Sequence, residues 1–102
     1  MLIQVNAADV HSSEALTQAV NDDVHAALKH VEHQITRIEA HLHDDSAHSH
    51  KHGANDKRCT LEARIAGRQP MTVEESSDDL YKSIHLASQK LGRAVTHTLD
   101  KR

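Results

Sequence analysis

Histidines are concentrated in one short stretch of the chain, residues 41–53, which reads HLHDDSAHSHKHG. The stretch holds His41, His43, His48, His50 and His52, together with two aspartates. Imidazole and carboxylate groups bind zinc, nickel and copper, so these five histidines are the candidate metal ligands of the chain. The stretch lacks the C-x-x-C or H-E-x-x-H spacing of a specific metal motif. We therefore predict a solvated hairpin connection with adventitious metal binding and no cofactor, and keep a His-rich, metal-responsive protein as the alternative.

Nucleophilic catalysis has few candidate residues in this sequence. Cys59 is the single cysteine, and it alternates with polar neighbours in a way that predicts a buried small hydrophobic side chain. Serine, histidine and aspartate are plentiful, but none lies in the context of a nucleophile elbow or a triad. We predict that the protein is not an enzyme and has no small-molecule substrate.

Positive charge is confined largely to the second half of the chain. Residues 1–56 hold 3 Lys and Arg against 9 Asp and Glu, whereas residues 57–102 hold 9 against 6. This asymmetry is compatible with one basic surface on an otherwise acidic domain. Tyr81 is the only aromatic residue apart from the histidines, so the chain lacks aromatic platforms for stacked bases. A nucleic-acid partner would be contacted through its backbone phosphates.

The basic residues of the last segment share one side of a predicted helix. On a helical wheel Lys82, Lys90, Arg93, His97 and Lys101 fall together, away from the apolar side. Leu86 falls among them and is predicted to be exposed. No acidic residue interrupts this face between Lys82 and Arg93, whereas a face that serves only solubility usually mixes both signs. The pattern indicates a contact surface.

Hydrophobic periodicity predicts the elements that position these residues. The opening LIQVN reads as a strand, and strands with alternating apolar residues follow at 35–43 and 58–65. A last strand contains Met71 and Val73, and Pro70 restricts it to a sheet edge or to a strand start. Two amphipathic helices complete the set. The first begins after Ser12 or Ser13 and buries Leu16, Val20, Val24, Ala27 and Val31; the second is capped by Ser76 and buries Leu80, Ile84, Ala87, Leu91, Ala94 and Val95.

These elements predict an α+β fold, a two-layer β-α-β-β-β-α sandwich. Each helix has one apolar stripe and each strand one apolar face, so a four-stranded mixed sheet with both helices packed on one face satisfies all of them. The first crossover is predicted to be parallel and right-handed, with antiparallel hairpins after it. Residues 1–102 are expected to form a single domain. The sequence shows no signal peptide and no membrane-length apolar run, so we expect a soluble cytoplasmic protein without a membrane partner.

The segment DKRCTLEARIAGRQPMTVEESSDDLYKSIHLASQKLGRAV resembles the short ribosome hibernation-promoting factors and ribosome-associated inhibitor A proteins, the sigma-54 modulation protein family. The resemblance also rests on the strands IQV, ITRIEAHL and LEARIAG, and on the helix motif LYKSI followed by QKLGR. It implies a fold similar to that of double-stranded-RNA-binding domains, with no C-terminal dimerisation domain. It further implies a stress-response protein that binds the 16S rRNA of the small ribosomal subunit and blocks the messenger and transfer RNA sites.

By this resemblance the predicted rRNA contacts are cationic side chains of the last helix and of the sheet. They are Arg58, Arg64, Arg68, Lys82, Lys90, Arg93 and Lys101. Arg64 and Arg68 flank the IAG turn and extend this set beyond the helix.

Overall fold

Four strands and two helices make up the computed structural model, which describes residues 1–7, 10, 13–45 and 55–100. The elements in chain order are β1 (Leu2–Asn6), α1 (Glu14–Leu28), a 3₁₀ segment (Lys29–Gln34), β2 (Ile35–Asp44), β3 (Lys57–Ile65), β4 (Met71–Ser77) and α2 (Leu80–Asp100). This order confirms the predicted β-α-β-β-β-α arrangement.

The four strands form one mixed sheet in the order β1-β2-β3-β4. β1 pairs with β2 in parallel, whereas β2 with β3 and β3 with β4 are antiparallel. Residues Ile38 and Ala63 lie opposite each other across β2 and β3, and Leu61 lies opposite Val73 across β3 and β4. β4 is an edge strand that begins directly after Pro70, as predicted, because proline has no backbone N–H to donate to a neighbouring strand.

Both helices share one core with one face of the sheet. The strands contribute Ile38, Ala40, Leu42, Cys59, Leu61 and Ala63, and the helices contribute Val20, Val24, Leu28, Ile84, Leu91 and Val95; each of these residues is fully buried. The period of two in the strands therefore places apolar side chains on the helix side. The outer face of the sheet carries mainly polar and charged side chains, together with the exposed Leu2 of β1.

The start of α1 agrees with the prediction, whereas its end differs. Ser13 is the N-cap, and its hydroxyl accepts a hydrogen bond of 3.1 Å from the backbone N–H of Leu16. The predicted helix included Val31, but the α-helix ends at Leu28 and a 3₁₀ segment follows. The tighter winding of this segment still places Val31 in the core before the chain enters β2.

The prediction that Ser76 caps α2 is wrong. Ser76 lies in β4 opposite Arg58, so the edge strand extends further than expected and its backbone pairs with β3. The helix begins instead at Leu80, directly after Asp79. The Asp79 carboxylate accepts a hydrogen bond of 3.3 Å from the N–H of Tyr81. In the first turn of α2, the buried Ser83 hydroxyl donates to the Lys57 carbonyl at 2.6 Å. This hydrogen bond joins the start of α2 to the start of β3.

Candidate nucleic-acid interface

A close approach between the two helices fixes the orientation of α2. A Cβ atom built on Gly92 would lie 2.9 Å from the carbonyl oxygen of Ala27, so no side chain fits between the helices there. Ile84, Leu91 and Val95 anchor the same side of α2 in the core. Because one side of the helix is committed to packing, the opposite side faces solvent.

The solvent side of α2 carries the predicted basic residues. The Lys82 side chain is 61% exposed and its Nζ lies 3.9 Å from Asp78, a distance at the limit of an ion pair. Lys90 Nζ lies 3.7 Å from Glu75 and donates a 3.3 Å hydrogen bond to the Glu74 carbonyl. Arg93 is exposed and has no ion pair within the described part of the chain. Lys101 lies outside the described residues.

Leu86 is less exposed than predicted. It lies on the basic side of α2, but it is half-buried rather than exposed. Its neighbours on the helix surface are Lys82 and Lys90, four positions away in each direction.

Arg58 on β3 contacts two carboxylates, one that directly follows the end of β2 and one on β4. Its Nε donates to Asp45 at 3.0 Å, and its Nη1 lies 3.4 Å from Glu74 Oε2. Glu74 also accepts a 3.0 Å hydrogen bond from the Thr60 hydroxyl. The hydrogen bond to Asp45 raises the pKa of the Arg58 guanidinium above its ordinary value, against a smaller opposing effect of burial. Arg58 is thus a cation already engaged within the protein.

The two other predicted arginines of the sheet region differ from each other. Arg64 is on the outer face, and its Nε donates to Glu62 at 3.1 Å. Arg68 follows Gly67, whose φ of 74° gives the turn the left-handed backbone that glycine tolerates best. The side chain of Arg68 is exposed, at the end of the β3–β4 hairpin and well separated in sequence from the basic side of α2.

Lys57 is a cation that the sequence analysis missed. Its Nζ lies 2.9 Å from Asp56 and 3.1 Å from Asp44, and these hydrogen bonds, that to Asp56 first, raise the pKa of the lysine. Asp44 lies opposite Lys57 in the β2–β3 register. The exact ends of the two strands would have revealed this pair, but a hairpin with a long connection does not show its register in the sequence.

A groove between the helices lies beside Arg93. It has a volume of about 570 Å³, and its lining includes Ala27, His30, Gly92, Arg93, Thr96 and His97. The side chains of His30 and Thr96 are hydrogen-bonded at 2.7 Å. His30 was not among the predicted site residues, since the sequence does not show that the end of α1 lies against the end of α2. The basic side of α2 therefore extends along the rim of this groove.

The predicted histidine stretch is only partly described. His41 and His43 occupy alternate positions of β2, opposite Thr60 and Arg58, and His41 Nε2 lies 4.0 Å from Glu39. His48, His50 and His52 lie outside the described residues. Within the described ranges no group of three His, Cys, Asp or Glu side chains is arranged to hold a metal ion. Metal binding by the whole stretch stays a prediction.

Cys59 is the buried small side chain that its alternation predicted. It is fully buried in the core, and desolvation raises the pKa of its thiol to about 12. The reactive form of cysteine is the thiolate, which is therefore suppressed at neutral pH.

The sequence matches a protein family over nearly its whole length. Residues 3–102 match the family described as Sigma 54 modulation protein / S30EA ribosomal protein. The chain belongs to this family. The match confirms the resemblance that was drawn from the strand and helix motifs. A comparison with curated proteins gave no match.

Solved structures support the fold of this S30EA family member. A ribosomal subunit interface protein from Coxiella burnetii superposes with a TM-score of 0.79 at 22% identity, covering 99% of this chain and 100% of that one. The N-terminal domain of Protein Y from Thermus thermophilus superposes with a TM-score of 0.73 at 18% identity, covering 96% and 99%. At these identities the likeness shows the fold.

The S30EA family is ribosome-associated. The geometry of α2 does not identify a partner for its basic side, whereas membership of this family points to the ribosome. In the described part of the chain, no helix is both long enough and apolar enough to cross a membrane.

Proposed function

We propose that this protein binds the small ribosomal subunit through phosphates of its 16S rRNA and blocks the sites of messenger and transfer RNA. It silences idle ribosomes in the cytoplasm by occupying space and performs no chemistry. The observation that carries this proposal is the solvent side of α2, where Lys82, Lys90 and Arg93 follow one another without an intervening acidic residue. Membership of the S30EA family supports the ribosome as partner.

The available cations differ in how free they are to meet phosphate. Arg93 is exposed without an ion pair among the described residues, and Lys82 has only a loose contact with Asp78. Lys90, Arg58 and Arg64 each face a carboxylate at 3.7 Å or less. We therefore assign the principal phosphate contacts to Arg93 and Lys82, with Lys90, Arg58, Arg64, Arg68 and Lys101 as further contacts.

Co-sedimentation with purified 30S and 70S ribosomes tests the proposal. Arg93→Glu should release the protein from 30S subunits, and binding of the unchanged chain should weaken steeply as salt rises, because phosphate contacts displace counterions. Lys29→Glu is the matched control, since Lys29 is exposed at the end of α1 and does not line the groove beside Arg93. Equal binding by the Arg93 variant and the unchanged chain would contradict the assignment of α2.

A further inference from the structure

The groove beside Arg93 adjoins a second, smaller cavity between the same two helices. The smaller cavity has a volume of about 180 Å³, and its lining consists of Asp23, Ala26, Ala27, His85, Ser88 and Gln89. Ala27 and Gln89 belong to the linings of both cavities, so we call the two together the interhelical cleft. The larger cavity, of about 570 Å³, is within the usual size of small-molecule sites, whereas the smaller one admits only part of a ligand.

Two polar side chains of the smaller cavity lack hydrogen bonds. Ser88 is only 2% exposed, and its hydroxyl oxygen has no hydrogen-bond partner among the described residues. The Asp23 side chain is 29% exposed, and its Oδ1 lies 3.8 Å from Nδ1 of His85, which is too long for a hydrogen bond. A buried polar group without a partner is unfavourable, so a ligand that hydrogen-bonds in this cavity would gain affinity from it.

The interhelical cleft has a cation toward one end and a carboxylate at the other. Arg93 is exposed in the larger cavity, and Asp23 belongs to the smaller one. On α2, Arg93 lies about 7.5 Å along the helix axis from Ser88. Asp100 also lines the larger cavity, but it lies about 10 Å beyond Arg93, on the side away from Ser88. A ligand that fits must therefore carry an anion at one end and hydrogen-bond donors at the other.

A guanosine nucleotide has this complementary arrangement. Its phosphate is an anion, and the Watson–Crick edge of guanine carries two adjacent donors, N1–H and the N2 amino group. One carboxylate accepts both in a two-pronged, charge-assisted contact. Adenine, cytosine and uracil present a donor beside an acceptor on this edge, so one oxygen of Asp23 would meet an acceptor. The hydroxyl of Ser88 can donate to O6 of guanine.

We propose that the interhelical cleft binds one guanosine nucleotide, with its phosphate at Arg93 and its base edge at Asp23 and Ser88. The inference rests on the proposed function for the phosphate contact of Arg93, and it adds a base preference to it. Recognition through the base edge needs no aromatic side chain for stacking. The nucleotide belongs either to a single-stranded part of rRNA or to the free pool, since both present the same groups.

The test measures binding of the full chain to short, labelled oligouridylates that carry a single central G, A or C. Fluorescence anisotropy at low salt gives the affinities, and co-sedimentation with 30S subunits is run on the same proteins. Asp23→Asn removes the carboxylate of the cleft. Asp22→Asn is the matched control, because it removes the same charge from the neighbouring residue, which is exposed and lines neither cavity.

The unchanged chain should prefer the G oligomer about tenfold, the order of discrimination that a two-pronged contact to a base provides. Asp23→Asn should abolish this preference, whereas Asp22→Asn should keep it. Arg93→Gln should weaken binding of all the oligomers alike. Ala26→Leu, at an exposed position in the lining of the smaller cavity, should also abolish the preference, and it decides the matter if thermal unfolding shows that Asp23→Asn is not folded.

Unlabelled guanosine monophosphate distinguishes the two sources of the nucleotide. Displacement of the G oligomer at equal concentration identifies a free nucleotide as the ligand, and displacement only at large excess identifies a nucleotide within RNA. Both results support the site. No displacement at any concentration would overturn it.

The outcomes also separate this inference from the proposed function. If no oligomer is preferred, or if the two aspartate variants behave alike, the inference is overturned while binding to 30S subunits stands on its own. A preference for G without binding to 30S subunits supports the inference and overturns the proposed function. Absence of both overturns both.

Discussion

Gly92 provides a prediction in which two physical effects oppose each other. Replacement by alanine favours the helix by up to about 1 kcal/mol, because glycine is a poor helix former. The new Cβ, however, would lie 2.9 Å from the Ala27 carbonyl oxygen, about 0.5 Å inside the 3.4 Å at which ordinary contact begins. The obstacle is backbone, so the helices must separate, and overpacking of this kind costs about 1–3 kcal/mol.

We therefore expect Gly92→Ala to lower the free energy of unfolding by about 1–2 kcal/mol. For a domain of this size that corresponds to a fall in Tm of about 4–16 °C, measured by circular dichroism. Adding Ala27→Gly should not restore stability, because it removes the Ala27 Cβ at 3.3 Å but leaves the carbonyl at 2.9 Å. A Gly92→Ala variant as stable as the unchanged chain would refute the reasoning, since helix propensity would then outweigh the contact.

Three further predictions concern single side chains. The thiol of Cys59 has its pKa raised to about 12 from an ordinary value of 9.0, so its contribution to stability is complete below pH 9 and is lost as pH rises from 9 toward 12. Urea unfolding of the unchanged chain should show this loss relative to Cys59→Ala, and parallel pH profiles would contradict it. Ser83→Ala removes the donor to the Lys57 carbonyl in a buried position, and should cost about 1–3 kcal/mol in the same assay; a neutral effect would show that the carbonyl finds another donor. Ser13→Ala removes the N-cap of α1 and should cost about 1 kcal/mol, whereas Ser13→Asp should retain most of the stability; equal losses in both variants would exclude capping as the cause.

Local periodicity predicted much of the fold. The prediction was wrong where strand pairing determines the end of one element and the start of the next. The alternation of Ile38, Ala40 and Leu42 predicted the buried face of β2 correctly, because every second side chain of this strand must face the helices. The start of α2 was predicted wrongly. Ser76 has the chemistry of a helix cap, but β3 was available to pair with its backbone, and that pairing extends β4 to Ser77.

The sequence predicted which basic residues share one side of α2, but it did not predict the contacts that they make. The positions of Lys82, Lys90 and Arg93 on one side of α2 follow from the helical repeat alone. Their partners do not, because Glu75 and Lys90 lie on different elements and come together only when α2 packs beside the edge strand. The same holds for Arg58, which meets Glu74 across the β3–β4 pair and Asp45 just beyond the end of β2.

The sequence by itself determined the order of elements, the buried side of each and the basic side of α2, since these depend on spacings within a single helix or strand. Only the tertiary structure decided which cations are engaged by carboxylates and where the ends of α1 and α2 form a groove. Side-chain periodicity is a property of neighbours along the chain, whereas the electrostatic environment of a charge is set by neighbours in space.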